Sequence, residues 1–234
     1  MKAPNAQQVS AYEEMENDSR STSLQPIAAN SPRPHIAGKF IFVGDEKFWI
    51  KGVSYGAFRP DEQGVEYQDK EKIERDFAMM AANGINTVRI PHTMPPRSLL
   101  DTAQKYGLRV MVGLSAEQYA GYLADKKKDA PDVVALVKQK VQTVAGHPAL
   151  LCYAVGNEIQ ASLVRWIGRK KVERYIRKIY KAIKDVDPQG LVTYVNYPTT
   201  EYLEVVNVVP ETCKTKHILE IVPGHATERR VLSN

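Results

Sequence analysis

One unit recurs along the middle of this chain: an amphipathic helix, a Gly or Asp-Pro stop, and a short apolar strand. The first helix, about 69–83, sets Ile73, Phe77 and Met80 on one face, stops at Gly84, and leads into a strand over 86–90. The second opens after Pro95-Pro96, carries Leu99, Leu100 and Ala103, stops at Gly107, and precedes a strand over 108–114. A third starts at Pro131, buries Val133, Val134, Val137, Val141 and Val144, ends at Gly146, and feeds a strand over 149–155. The fourth, closed by Asp187-Pro188-Gln189-Gly190, leads to a fifth strand over 191–195. Strands this short and apolar, with little alternation, are covered by helices on a parallel sheet. An open doubly wound sheet would carry a glycine-rich phosphate loop after its first strand. Gly52-Val53-Ser54-Tyr55-Gly56-Ala57-Phe58 has neither the spacing nor the small residues for one, so a closed barrel is the expected plan.

The expectation is therefore an α/β fold of the (β/α)8 TIM-barrel type, with a parallel sheet. Such a barrel takes about 250 residues, and 234 are present. Residues 1–38, rich in Ser, Asn, Pro and charge, read as a disordered or loosely packed arm, with order beginning near Phe40 in a hairpin over 40–50. That leaves about five to six βα units over 39–204, an incomplete barrel. Val205 to Pro210 is at most a sixth strand. Residues 205–234 form an atypical tail without period, like a frameshifted or truncated end.

Composition narrows the setting. The net charge of +5 is concentrated: Arg165 to Lys184 holds nine Lys or Arg and one acid, Glu173, for +8, so the remainder carries 5 − 8 = −3. These charges lie opposite the apolar stripe of one helix, so a solvated face is expected and no nucleic-acid partner. No apolar run of about 18 residues occurs, so no membrane span is expected. The polar N-terminus and only two cysteines, Cys152 and Cys213, suit a reducing, cytoplasmic setting. Cys213, His217 and His225 lack zinc-type spacing; no metal and no cofactor are expected.

In a barrel, chemistry sits at the C-terminal ends of the strands. Those ends carry Tyr55 and Arg59; Arg89 and His92; Glu117 and Gln118; Asn157 and Glu158; Asn196 and Tyr197. The fourth strand, Leu150-Leu151-Cys152-Tyr153-Ala154-Val155, runs into Gly156-Asn157-Glu158. A carboxyl at the mouth of a buried strand is desolvated, which raises its pKa and suits a general acid. The same pair could equally cap the next helix.

Gly156-Asn157-Glu158 after an apolar fourth strand resembles the acid/base motif of clan A glycoside hydrolases. The resemblance is closest to the barrel domain of family-two enzymes, the β-galactosidase and β-glucuronidase relatives. Asn86-Thr87-Val88-Arg89-Ile90-Pro91-His92 looks like their second-strand motif. Ala145-Gly146-His147-Pro148-Ala149 and Val195-Asn196-Tyr197-Pro198-Thr199-Thr200 look like a subgroup in which the barrel precedes a family-two glycosyltransferase domain. The similarity covers about 39–204. It implies a carbohydrate substrate, a possible glycosyltransferase neighbour, and a retaining mechanism. Carried over, Glu158 is the acid/base, Asn157 the partner of the sugar 2-hydroxyl, Arg89 the residue that orients the carboxylates, and His92 a sugar-subsite residue. Glu117, Tyr197 and Trp166 are further substrate-binding candidates, and His147 a stability residue on the opposite face. The family's nucleophile, a Glu ending the seventh strand, has no counterpart here. The resemblance thus implies a glycosidase whose chain is inactive alone, or else a non-catalytic carbohydrate-binding or scaffolding remnant.

Overall fold

The computed structural model describes residues 24–62, 64–123 and 130–195. Five strands form one parallel sheet in the order β4 (Gly52–Ser54), β5 (Thr87–Ile90), β6 (Arg109–Gly113), β7 (Leu150–Asn157), β8 (Val192–Val195). Each neighbour pair is joined through a helical crossover: α1 (Lys70–Ala82), α2 (Arg97–Lys105), α3 (Val133–Val144), and the pair α4 (Ala161–Ile167) and α5 (Arg169–Val186). Among the described residues this is an α/β barrel that does not close.

Local chemistry accounts for the helix starts. The Asp69 carboxylate accepts from Lys72 N at 2.8 Å and caps α1. Asp132, not Pro131, is the cap of α3, accepting from Val134 N at 3.0 Å and Ala135 N at 3.2 Å. Val133 and Val134, expected to be buried, are therefore in the first turn and only half-covered. The basic helix is α5, and Gly168, whose φ of 94° suits a residue without a Cβ, separates it from the short α4 that carries Arg165.

The sheet separates two apolar layers. Its outer face buries Val88, Ile90, Val110, Val112 and Tyr153 under Phe77, Leu100, Val141, Ile176 and Ile179 of the helices. Each such side chain contributes about 1.5–3 kcal/mol. The inner layer is Met111, Leu151, Cys152, Ala154 and Val195. Its N-terminal end is covered by an antiparallel sheet of β1 (Pro34–Ala37), β2 (Phe40–Val43) and β3 (Glu46–Lys47), through Ile36, Ile41 and Phe48.

The first strand of that sheet, and everything from Leu24, corrects the expected arm. Leu24 and Ile27 pack on the main core, and Ile27 exchanges two 2.9 Å hydrogen bonds with Gln104 of α2. Arg33 donates twice to Asp187, at 2.7 Å each. These anchors are too sparse in a polar stretch to give a period, and the partner of Arg33 is 154 residues away. Residues 1–23 lie outside the described part, as do 196–234 with the expected sixth strand and tail. In the hairpin, β3 is Glu46–Lys47, and the expected strand residues Trp49 and Ile50 are exposed.

Asp187 ties four segments together. Besides Arg33, its carboxylate accepts from the Tyr153 hydroxyl of β7 at 2.8 Å and from Gly190 N at 3.1 Å. Burial alone would raise this carboxyl; the hydrogen bonds from Arg33 and Tyr153 hold it below its ordinary value instead. A depressed carboxylate stabilises the fold above its unfolded pKa, and that stabilisation is lost as pH falls through the folded value. Arg33→Ala leaves the buried carboxylate short of its cation and is expected to cost roughly 3 kcal/mol. Urea unfolding at pH 7 and pH 3 checks this: the variant's deficit is large at pH 7 and shrinks at pH 3.

Candidate functional site

The C-terminal ends of β5, β6 and β7 converge on the Gly156-Asn157-Glu158 turn. Three consecutive backbone amides there are held by two segments, the loop after β6 and β8. Asn157 N donates to the Glu117 carboxylate at 3.0 Å, Glu158 N to Val195 O at 2.9 Å, and Ile159 N to the Tyr194 hydroxyl at 3.0 Å. Glu158 sits between them with φ of 52°, a left-handed conformation costing about 1–2 kcal/mol for a residue with a Cβ. The helix-cap alternative fails: α4 begins at Ala161 behind Gln160, and Asn157 is the last residue of β7.

Arg89 of β5 reaches across and donates to Asn157 Oδ1. Burial lowers the guanidinium pKa, and the charge of Glu158 acts the other way. Its Nε is buried without a partner among the described residues. His92 lies exposed in the next loop, its carbonyl accepting from Ser115, and its charge bears on Glu117. Arg89, His92, Glu117, Asn157 and Glu158 are thus brought together.

Glu117 has a different place from the one expected. It is near the start of a 3-10 segment, Ala116–Leu123, and its carboxylate accepts from the backbone of the Gly156-Asn157-Glu158 turn. Burial pushes this carboxyl above its ordinary value, against the two backbone hydrogen bonds and the charges of His92 and Lys140. Gly156 leaves room for it, since a Cβ there would stand 3.3 Å from Glu117 Oε2.

The remaining candidates are scattered. Trp166 is on α4 and 67% exposed. Tyr197 and Asn196 lie outside the described residues. Tyr55 is buried with its hydroxyl on Asp76 at 2.7 Å, while exposed Arg59 lines a separate cavity of about 240 Å³ with Phe58 and Glu66. His147, at the other end, is buried; its Nδ1 accepts from Ala149 N at 3.1 Å, which leaves Nε2 to face Asp101 at 3.0 Å. Tyr194 was missed because its hydroxyl role is invisible within an apolar strand, although its position one before Val195 already put it at the mouth. Cys152 is fully enclosed, its thiol pushed up to about 12 by burial, and Cys213 lies outside the described residues.

A carboxylate and an amide at the mouth of a parallel barrel-type sheet, with an arginine joining them, define a domain of the carbohydrate-cleaving barrel class. The sequence pattern described as "Glycosyl hydrolases family 2, TIM barrel domain" matches residues 35–222, and the chain belongs to that family. The match begins before Lys39 and runs past Glu204, so the family resemblance does not stop there, as the sequence reading had it. Among curated proteins, the chain is 26% identical over 157 residues to a 1,3-beta-glucanosyltransferase gel2 of Aspergillus fumigatus, covering 62% of this chain and 32% of that protein. It is 24% identical over 143 residues to a beta-galactosidase of Pectobacterium atrosepticum, covering 57% and 14%. A crystal structure of Gas2 with compound 10 shares the fold at TM-score 0.54 and 20% identity, over 73% of this chain and 42% of that one. The Bifidobacterium dentium beta-glucuronidase complexed with coumarin-3-O-glucuronide does so at 0.53 and 19%, over 74% and 28%. The chain thus spans about a third or less of the curated relatives' length.

Two substitutions separate the roles of the Glu117 carboxylate. A buried carboxyl with a raised pKa opposes folding once ionised, so its cost appears as pH rises through the folded value. Glu117→Gln keeps an acceptor for Asn157 N and removes the charge. Its melting temperature should exceed the parent's at pH 8 and approach it at pH 4. Glu117→Ala orphans the amide and should cost about 1–3 kcal/mol.

Proposed function

We propose that this domain acts on O-glycosidic bonds of a carbohydrate by hydrolysis or transfer, with Glu158 as general acid/base. The observation that carries the reading is the Arg89–Asn157–Glu158 arrangement, in which an arginine fixes the amide beside a carboxylate held at the mouth of the sheet. Glu158 would protonate the leaving oxygen, and Asn157 would hydrogen-bond the sugar 2-hydroxyl. Arg89 would orient the carboxylates, and His92 would line the sugar subsite. Tyr197, one residue beyond Asn196 after β8, belongs to the same proposed pocket.

A retaining mechanism needs a second carboxylate about 5–5.5 Å from the first. In the barrel pattern it stands on the seventh strand, and β8 is the fifth of the parallel strands described. We therefore assign the described residues the acid/base half of the site, with no seventh-strand nucleophile among them. The five-strand sheet also favours a second reading: a carbohydrate-binding or scaffolding module, working beside a glycosyltransferase domain.

Aryl β-glycosides and oligosaccharides separate these readings. The chain alone is expected to bind sugar and to turn over aryl glycosides little or not at all. Turnover that Glu158→Gln abolishes would sink the missing nucleophile and support the acid/base role. Sugar binding that Glu158→Gln and Arg89→Ala leave untouched would sink the site itself.

A further inference from the structure

A second concave site lies on the outer side of the same rim. It is a cavity of about 630 Å³ between the 3-10 segment, the start of α3 and the first half of α5. That volume falls within the roughly 300–1,000 Å³ of small-molecule sites. Its floor is apolar, with Val133, Val134 and Ile179, and Tyr119 and Tyr122 stand on one wall. Opposite them, Lys171, Arg174 and Lys178 fall three and four residues apart on one face of α5.

The fold sets two aromatic residues, Tyr119 and Tyr122, in the same cleft as this basic helix. Tyr122 is 42% exposed. None of the three cations is in an ion pair among the described residues. The nearby Glu173 is taken by Arg169 at 2.8 Å, and Asp185 by Lys138 at 2.7 Å, farther along the helix. Among the described lining residues the one carboxylate, Asp132, already accepts from Val134 N and Ala135 N. Three cations against that carboxylate leave the described lining at 3 − 1 = +2.

We propose that this cleft binds an acidic oligosaccharide, with Lys171, Arg174 and Lys178 on its carboxylate or sulfate groups and Tyr119 and Tyr122 against sugar rings. The positive charge and the aromatic wall come from the cleft itself; the choice of sugar as the ring rests on the proposed function. Cations grip carboxylate and sulfate through charge-assisted hydrogen bonds, and tyrosines offer flat apolar faces with a polar rim. Asp132 among the cations disfavours a closely spaced phosphate chain and accommodates a polymer whose charges alternate with hydroxyls. The site is distinct from the Glu158 turn: neither Glu158, Asn157 nor Arg89 lines the cleft, and Tyr175, which does, donates to Ala116 O at 2.7 Å.

Calorimetry on the full chain tests this with four probes: tetragalacturonate, a chondroitin sulfate tetrasaccharide, neutral laminaritetraose, and a ten-residue oligo-dT. The acidic sugars are expected to bind more tightly than the neutral one, and to weaken as NaCl rises. Which of the two binds better distinguishes carboxylate from sulfate. Lys171→Ala with Lys178→Ala should weaken acidic-sugar binding by about tenfold or more. Tyr122→Ala should weaken it too, at unchanged melting temperature, and Lys178→Glu should abolish it. Glu158→Gln should leave it intact, so loss of the Glu158 reading and loss of the cleft register separately. Binding indifferent to these cleft substitutions, equal binding of laminaritetraose, or oligo-dT binding as tightly as the acidic sugars would each overturn the proposal.

Discussion

The Gly156-Asn157-Glu158 turn depends on one short row of backbone hydrogen bonds. The amides of Asn157, Glu158 and Ile159 are satisfied in turn by a carboxylate from the β6 loop, a carbonyl from β8 and a hydroxyl from β8. A glutamate does not rest at positive φ unless its surroundings over-determine it. Here three partners from outside the turn do so, and none of them is Glu158's own side chain. The turn's backbone is set by these partners and not by the Glu158 carboxyl.

The far end of the sheet is fixed by different physics. At the mouth the partners are backbone amides; at the base they are a buried ion pair and a plug of apolar side chains. Asp187 joins Arg33, Tyr153 and the loop before β8, and the small antiparallel sheet lays Ile36, Ile41 and Phe48 over the inner layer. Tyr153 is in the same strand that ends in Asn157. Through that strand the base holds in place the rim that carries the site.

Periodic features were legible in the sequence. The helices and strands from Lys70 onward follow the spacing of Ile73, Phe77, Leu99, Leu100, Val137 and Val141, and their stops fall at the expected glycines. The site was legible where a residue type is tied to a strand end: Arg89, Asn157 and Glu158 meet as the order of the strands implied. What stayed hidden depends on pairing across the chain. Arg33 has nothing local to mark it, and its partner becomes known only when β8 is in place. Glu117 looked like a ligand-facing carboxylate because sequence places it at a strand end without showing that a backbone amide claims it. Trp166 carries the aromatic chemistry of a sugar site, but α4 turns it to solvent. Tyr194 reads as one more strand residue until its hydroxyl is seen against Ile159.

The tie between Glu158 and Val195 also has a temporal meaning. A chain made from its N-terminus emits Glu158 before it emits the strand that holds it. Until β8 docks, two of the three amides have no partner, and the left-handed backbone at Glu158 has little to sustain it. The site is therefore among the last parts of this sheet to take shape. An unfinished or misassembled β8 would leave the glutamate present in composition yet without the backbone that positions it.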